Sequence, residues 1–218
     1  SDDSRIASVQ HGVTILATGG QEYQGPEYGY GSDPRVISQL ELEKRLSEKN
    51  LSQDIPENGT IAMILCVGPA EKYCSRICCT SALKNAFALK KAYPKLNIHI
   101  LYKDIRVYGF REQLYTDVRH LGVTFFRYDD QHKPQVTFSP GKSAQDSDLK
   151  VSAWDLPLGK QLEIHPDLVV LAMPVVPQSD MKEIAHRFKV SLDADGFFLE
   201  AHVKLRPVDF ATEGIFMA

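Results

Sequence analysis

Short apolar runs bounded by turn residues recur along this chain. They predict buried strands over residues 12–17, 60–67, 97–102, 123–128 and 167–172. Apolar positions at helical spacing between and beyond these runs predict helices over residues 37–50, 73–92, 110–120 and 180–188. The middle of the chain therefore alternates strand, helix, strand, helix and strand, which is the order of a Rossmann-like α/β unit, βαβαβ, with a parallel sheet.

The remaining segments are polar or rich in turn residues. Residues 21–35 are rich in Gly, Pro and Tyr and predict a loop, with Ser32 or Asp33 ahead of Pro34 as the expected start signal of the next helix. Short alternating pieces predict a small antiparallel meander over residues 135–138, 150–153 and 161–164. A buried strand opens the chain without a preceding βα unit and an apolar strand closes it, as expected of a piece excised from a longer protein.

Composition excludes several classes of function. The 218 residues are 43% hydrophobic and 24% charged, which is typical of a folded globular protein. The net charge is −3 with no basic block, so nucleic acid is not an expected partner. No apolar run approaches the roughly 18 residues of a membrane helix, and the polar first residues do not form a signal peptide. We therefore expect a cytoplasmic protein without a transmembrane segment.

The four cysteines of the chain, Cys66, Cys74, Cys78 and Cys79, are crowded between positions 66 and 79. A disulfide framework spreads its cysteines to close loops, so this crowding favours a metal site. Cys74 and Cys78 are four residues apart on a predicted helix and are expected to share one face. Cys66, at the end of a predicted strand, is expected to reach back across the loop.

Spacing alone leaves three states of these cysteines open. Four thiolates can bind a structural zinc ion or an iron–sulfur cluster, and four reduced cysteines can pack as small hydrophobic residues. The adjacent pair Cys78 and Cys79 is awkward on one zinc ion and easier on a larger cluster with several irons. A helix start with Lys72 and Arg76 close by also favours an anionic cluster.

The loop that carries the cysteines differs from that of a dinucleotide-binding unit. Such a unit has G-x-G-x-x-G there, because glycine lets the backbone approach the pyrophosphate. Here the loop over residues 66–74 contains one glycine, Gly68, so direct NAD binding by this unit is not expected. Asp104 and Arg106 follow the next strand, where Rossmann domains contact a ribose or its phosphate. Without the glycine loop, a nucleotide contact at these two residues is only a weak alternative.

The run CVGPAEKYCSRICCTSALKNAFALKKAYP, followed by IHILYKDIRVYGF, resembles the A subunit of heterodisulfide reductases, a family of FAD-containing iron–sulfur oxidoreductases. The flanks ATGGQEYQGPEYGYGSDPRVISQLELE, DLVVLAMPVVP and LRPVDFATEGIFMA resemble the same family, so the resemblance spans essentially the whole chain. It implies a thioredoxin-reductase-like architecture in which an α/β domain interrupts an FAD domain. The inserted domain is then residues 31–165, and residues 1–30 and 166–218 are parts of the FAD domain.

The resemblance also implies cofactors and their ligands. Cys66, Cys74, Cys78 and Cys79 match the ligands of a [4Fe-4S] centre. Thr18, Gly19 and Gly20 are expected near FAD. Lys84 matches a lysine that approaches the flavin ring; the alternative is that Lys84 lies on a solvated helix face and has no such role.

The function implied by the resemblance is that of a redox subunit. It relays electrons between FAD and other subunits of a complex, which are heterodisulfide reductase B/C-like or hydrogenase- or dehydrogenase-like. The family's N-terminal FAD fingerprint is absent from the chain, so stable FAD binding and turnover by this piece alone are not expected. The alternative from another class is a non-catalytic interaction module with a structural zinc at the same four cysteines.

Overall fold

The computed structural model describes residues 8–48, 51, 55–71, 73–139 and 148–218. In chain order its strands and helices are β1 (Thr14–Leu16), β2 (Gly20–Glu22), β3 (Val36–Ser38), α1 (Gln39–Ser47), β4 (Thr60–Ile64), α2 (Cys78–Ala92), β5 (Asn97–Tyr102), α3 (Glu112–His120), β6 (Thr124–Arg127), β7 (Gln135–Thr137), β8 (Lys150–Asp155), β9 (Lys160–Ile164), β10 (Leu168–Leu171), β11 (Val175–Pro177), α4 (Met181–Phe188) and β12 (Ile215–Met217). None of these helices is long and apolar enough to cross a membrane.

The larger of two units is Glu22–Pro174. Its centre is a five-stranded parallel sheet in the order β3-β10-β4-β5-β6. The path β4–α2–β5–α3–β6 confirms the predicted parallel βαβαβ unit. Strands β4 and β10 are buried at nearly every position, because both faces of the sheet are covered, and this is why they are continuous apolar runs.

Helices cover one face of this sheet and the meander covers the other. Leu42 of α1, Leu83 of α2 and Val118 of α3 belong to one core cluster with the side chains of that sheet face. On the opposite face, Ile64 of β4 belongs to a second cluster with Val151 of β8. Strands β7, β8 and β9 pair antiparallel in that order, which confirms the predicted meander.

Helix α1 begins later than the start signal predicts. Ser38 is its N-cap and forms a capping box with Glu41: the Glu41 N–H donates to Ser38 Oγ at 3.2 Å, and the Ser38 N–H donates to Glu41 Oε2 at 2.7 Å. The predicted start at Ser32 or Asp33 is therefore wrong. Asp33 instead forms a buried ion pair with Arg35.

The smaller unit combines Ser1–Gln21 with Val175–Ala218. Strand β1 pairs parallel with β12, so the apolar run near the start of the chain finds its partner at the far end. Strands β2 and β11 form a second two-stranded ribbon. Phe210 is buried and meets the ring of Phe198 edge-on at 5.3 Å between centroids.

The division into units falls at different positions from the predicted domain boundaries. The prediction placed residues 166–218 in the FAD-domain return, whereas β10 lies between β3 and β4 in the five-stranded sheet. The chain therefore leaves the larger unit after Pro174 and not after residue 165. It enters that unit at Glu22, before the predicted residue 31. A strand belongs to the sheet that supplies its hydrogen bonds, and sequence order does not reveal that sheet.

Candidate cysteine site

The cysteines lie at the carboxyl ends of β4 and β5. Cys66 lies two residues after the end of β4 and has a φ of +61°. This left-handed conformation costs a non-glycine residue roughly 1–2 kcal/mol, so the surrounding contacts have to hold it in place. Ligand sites of parallel sheets form at this edge, because the strand-to-helix loops meet there.

Helix α2 begins at Cys78, so the predicted helix start at residue 73 is wrong. Cys74 lies in the irregular segment that precedes the helix, where Arg76 has a φ of +61° and interrupts any helical path. Cys74 and Cys78 consequently do not share a helix face. The N-cap residue of α2 is Ile77, whose side chain cannot accept a hydrogen bond. No N-cap side chain therefore binds the first N–H groups of α2, which lie on the side of the cysteines.

Short contacts connect the cysteines to the two loops around them. Cys79 Sγ lies 3.7 Å from the carbonyl oxygen of Asp104, which follows β5. Ser75 Oγ lies 3.6 Å from Cys78 Sγ, and the Arg76 N–H donates to Cys74 Sγ at 3.4 Å. Cys78 and Cys79 are buried, with 5% and 3% of their surfaces exposed, whereas Cys66 and Cys74 are partly exposed.

The electrostatics of the thiols show that they influence one another. Burial raises the pKa of Cys66, backbone hydrogen bonds from the segment around Asp104 oppose that rise, and the nearby Cys78 and Cys74 add to it. The hydrogen bond between Cys78 and Cys79 lowers the pKa of Cys78 and raises the pKa of Cys79. One thiolate of the adjacent pair is therefore favoured at the start of α2, where the positive end of the helix lies.

Arg106 supplies positive charge to the same site. Its pKa is raised first by the hydrogen bond to Asp104, at 2.9 Å from Nε to Oδ2, and next by the negative charge of Cys74, with a smaller effect of Cys66. The sequence suggested a ribose or phosphate contact for Asp104 and Arg106, and the structure places both beside the cysteines. The position of this pair directly after β5 was the only signal in the sequence. Lys72, the other predicted cation, lies outside the described residues.

The donor set fits a cluster better than a single ion. All four cysteines are free thiols. Among the residues that the structure describes, no three His, Cys, Asp or Glu side chains surround one position that could hold a metal ion. A [4Fe-4S] cluster binds its four thiolates at four separate corners, so its ligands need not converge on one point. Four thiols in one neighbourhood, next to an arginine and a helix N-terminus, suit such an anionic group.

The loop that carries the cysteines is packed against side chains of an earlier segment at its single glycine. Gly68 has a φ of +55°, and a Cβ placed on it meets the Tyr23 ring at 2.5 Å and Glu27 Oε1 at 3.0 Å. The Tyr23 hydroxyl donates to that same carboxylate oxygen at 2.8 Å. A ring and a carboxylate therefore pack against this loop, and a carboxylate there repels the charge of a pyrophosphate.

The residues expected near FAD lie as follows. In the smaller unit, Thr18 Oγ1 donates to Met181 Sδ at 3.7 Å and Gly19 has a φ of +60°. A Cβ on Gly20 meets the Val176 carbonyl oxygen at 2.9 Å, so β2 and β11 approach closely there.

Lys84, in the larger unit, is exposed on α2. Its Nζ lies 2.6 Å from Glu43 Oε1 of α1.

Curated relatives match nearly all of the chain. The A subunit of ferredoxin:CoB-CoM heterodisulfide reductase from Methanosarcina acetivorans is 34% identical over 100% of this chain and 31% of its own length. The iron-sulfur A subunit of CoB--CoM heterodisulfide reductase from Methanocaldococcus jannaschii is 34% identical, over 95% of this chain and 33% of its own length. A protein of Archaeoglobus profundus, named as similar to the heterodisulfide reductase A subunit, is 37% identical over 99% of this chain and 34% of its own length. The chain is similar to heterodisulfide reductase A subunits over nearly its whole length. No family model matches it.

The chain spans about a third of the length of those relatives. Its fold is that of thioredoxin reductase. T. acidophilum thioredoxin reductase superposes with a TM-score of 0.57 at 14% identity, over 94% of this chain and 56% of that one. The cadaverine monooxygenase DfoA of Erwinia amylovora, bound to FAD, superposes with a TM-score of 0.54 at 9% identity, over 94% of this chain and 53% of that one. The predicted resemblance and the predicted fold class are both confirmed.

Proposed function

We propose that this chain is part of a redox subunit in which Cys66, Cys74, Cys78 and Cys79 hold a [4Fe-4S] centre that relays electrons between FAD and partner proteins. The observation that carries the proposal is the gathering of four free thiols at the carboxyl ends of β4 and β5, in a chain similar to heterodisulfide reductase A subunits. A relative's name includes the words iron-sulfur, which agrees with it. When bound, such a cluster supplies one-electron chemistry.

The side chains around the cysteines have definite tasks under this proposal. Cys78 and Cys79, both buried, keep water away from one side of the group. The free N–H groups at the start of α2 and the Arg106 guanidinium offset its negative charge. Asp104 is a positioning residue, because its carboxylate holds Arg106 at 2.9 Å. The Cys66 thiol is close enough to the other three to interact with them electrostatically.

FAD and the partner subunits form the second part of the proposal. The thioredoxin reductase fold, shared with the FAD-bound DfoA, supports a flavin contact at Thr18, Gly19 and Gly20 in the longer protein. For Lys84 close to the flavin ring, the support is the sequence resemblance alone. The names of the relatives describe subunits of heterodisulfide reductases, which supports partners of that kind or of a hydrogenase or dehydrogenase kind. A cytoplasmic location remains a prediction. No observation favours the zinc module.

The test is metal and sulfide analysis of protein prepared without air. We expect iron and acid-labile sulfide in equal amounts, at about four of each per chain, with the broad visible absorption of an iron–sulfur cluster. Cys78→Ser and Cys79→Ser are expected to lose most of the iron. Thr80→Ser, on the same turn of α2, is the matched control and is expected to keep it.

Two results contradict the proposal. One is full retention of iron in both serine variants while circular dichroism shows the wild-type fold. The other is one tightly bound zinc per chain without sulfide, which supports the structural module instead.

A further inference from the structure

Tyr128 reaches from the end of β6 to the peptide that precedes Cys66. It lies directly after β6, its N–H donates to the Tyr102 carbonyl oxygen at 2.9 Å, and its hydroxyl donates to the carbonyl oxygen of Leu65. Strand β5 lies between β6 and β4, so the side chain spans one strand at the carboxyl edge of the sheet. Tyr128 is 3% exposed and Leu65 is 1% exposed, so water does not compete for the hydrogen bond between them.

The hydrogen-bond ladder between β4 and β5 stops at Leu65. The Leu65 N–H still donates to the Leu101 carbonyl oxygen at 2.9 Å, which continues the register in which Ile64 lies opposite Leu101. In a parallel ladder, a residue that donates to one residue of the neighbouring strand accepts from the residue two positions further on. That donor for the Leu65 carbonyl oxygen is the Lys103 N–H. In the structure the carbonyl accepts from the Tyr128 hydroxyl instead.

The N–H groups that follow β5 serve the Cys66 sulfur. Burial raises the pKa of the Cys66 thiol, and backbone hydrogen bonds from Asp104 and Lys103 oppose that rise. Cys66 itself has a φ of +61°, whereas residues in a strand have a negative φ. The chain therefore leaves the strand conformation at the residue directly after the carbonyl that Tyr128 holds.

Tyr128 acts on the backbone and not on the sulfur. Its ring belongs to the core cluster between the sheet and the meander, whereas Cys66 packs against the cluster between the sheet and the helices. The two side chains thus belong to opposite faces of the sheet. The Tyr128 hydroxyl influences Cys66 through the peptide that joins it to Leu65.

We propose that Tyr128 is a positioning residue for the cysteine site: its hydroxyl holds the Leu65 carbonyl, which leaves the Lys103 N–H to the Cys66 sulfur. The importance of this arrangement for electron relay rests on the proposed function. Hydrogen bonds to the ligand sulfurs favour the more negative, reduced state of an iron–sulfur cluster and so raise its reduction potential. Without the hydroxyl, the buried carbonyl loses its donor, and the Lys103 N–H is the ladder donor that remains.

The first experiment measures the reduction potential of the whole chain, prepared without air, in wild type and Tyr128→Phe. Loss of one hydrogen bond to a charged group changes an equilibrium by roughly tenfold. At a fixed potential we therefore expect the cluster of the variant to be about tenfold less reduced, which is a potential lower by about 59 mV for a one-electron couple. The electron paramagnetic resonance spectrum of the reduced cluster is expected to change with it.

The second experiment has a readout that needs no cluster. Amide hydrogen exchange at Lys103 is followed by mass spectrometry with fragmentation, on the same preparations. In Tyr128→Phe the Lys103 amide is expected to exchange at least about threefold more slowly, because a backbone carbonyl is a stronger acceptor than sulfur. A general loss of stability has the opposite sign, since local opening makes amides exchange faster.

Tyr115→Phe is the matched control for the loss of a hydroxyl. Tyr115 of α3 packs its ring edge-on against Phe125 at 5.0 Å between centroids, in the same unit as Tyr128. The ratio of reduced to oxidised cluster and the exchange rate at Lys103 are each expected to change by less than about twofold. Circular dichroism on all variants shows whether the fold is retained.

A second variant removes the donor itself and does not depend on the folding of Tyr128→Phe. Lys103→Pro lacks the backbone N–H and is expected to lower the potential as Tyr128→Phe does. The double variant is expected to lower it no further, because both changes remove the same hydrogen bond. Lys103→Pro also loses the surface ion pair with Asp130, so Asp130→Asn is its control and is expected to keep the wild-type potential.

The results separate this proposal from the proposed function. A full cluster with the same potential in wild type, Tyr128→Phe and Lys103→Pro keeps the proposed function and refutes the positioning role. Slower exchange at Lys103 in Tyr128→Phe, in a chain that assembles no cluster, keeps the positioning role and refutes the proposed function. Faster exchange at Lys103 together with its neighbours shows that Tyr128 only stabilises the fold, and this overturns the proposal.

Discussion

The ion pair between Asp33 and Arg35 is expected to stabilise the edge of the five-stranded sheet, and Asp33→Asn tests this. The side chains are 6% and 9% exposed. Asp33 accepts three hydrogen bonds from Arg35: backbone N–H to Oδ1 at 2.8 Å, Nε to Oδ1 at 3.0 Å and Nη2 to Oδ2 at 2.7 Å. The Arg35 carbonyl oxygen accepts from the Val169 N–H at 2.8 Å, which joins β3 to β10.

Asparagine keeps the shape of Asp33 but leaves the guanidinium with little negative charge. Breaking a buried pair by removing one partner costs about 3–5 kcal/mol. We expect about 3 kcal/mol, the lower end of that range, because Asp148 Oδ1 lies 3.5 Å from Arg35 Nη2 and retains part of the attraction. For a chain of this length that loss corresponds to a Tm lower by about 6–12 °C.

Urea unfolding followed by tryptophan fluorescence measures the effect. Trp154 is the single tryptophan and lies in β8 of the same unit as Asp33. Asp130→Asn is the control: Asp130 pairs with Lys103 on the surface and its loss is expected to cost less than about 1 kcal/mol. The double variant Asp33→Asn, Arg35→Met is expected to be more stable than Asp33→Asn alone, because it removes the unpaired buried charge.

The same pair predicts a dependence on pH. The hydrogen bonds from Arg35 lower the pKa of Asp33 below its usual value. A carboxylate with a lowered folded pKa stabilises the fold above its unfolded pKa of about 3.9, and that stabilisation is lost as pH falls through the folded pKa. The difference in free energy of unfolding between wild type and Asp33→Asn is therefore expected to be constant above about pH 5 and to shrink only below about pH 4. A difference under about 1 kcal/mol at pH 7, or one that grows on acidification, refutes the reasoning.

Three further predictions concern the loops and the helix around the cysteines. Gly68→Ala is expected to lower the free energy of unfolding by about 1–3 kcal/mol, because Gly68 has a positive φ and its Cβ meets the Tyr23 ring, and urea unfolding measures this loss. NADH and NADPH are expected to show no saturable fluorescence change up to about 1 mM, a binding free energy of about −4 kcal/mol, because the loop lacks the glycines of a dinucleotide-binding unit and Tyr23 and Glu27 pack against it at Gly68; a micromolar Kd contradicts that account. Lys84→Gln is expected to change the free energy of unfolding by less than about 1 kcal/mol, since its ion pair with Glu43 is exposed, and a larger loss shows that the pair is structural.

Local patterns predicted the elements of the larger unit well. Strand β5 has the predicted bounds, α3, β6 and β10 begin and end within two residues of theirs, and β4 ends three residues early. Each is a continuous buried run or an amphipathic segment between turn residues, so the neighbouring residues in the sequence are enough to predict where it begins and ends. The start of α2 could not be predicted in this way. Arg76 has a left-handed backbone and Cys74 interacts with Arg106 of the loop after β5, and the local pattern shows neither.

The sequence by itself determined the resemblance to heterodisulfide reductase A subunits, the βαβαβ order, the meander and the crowding of the four cysteines, because these depend on residue type and on spacing along the chain. Only the tertiary structure decided that β10 completes the central sheet, that Tyr23 and Glu27 fill the space over Gly68, and that Arg106 lies beside the cysteines. Each of these is a contact between segments far apart in sequence. Such contacts are set by how the layers pack, and no local periodicity records them.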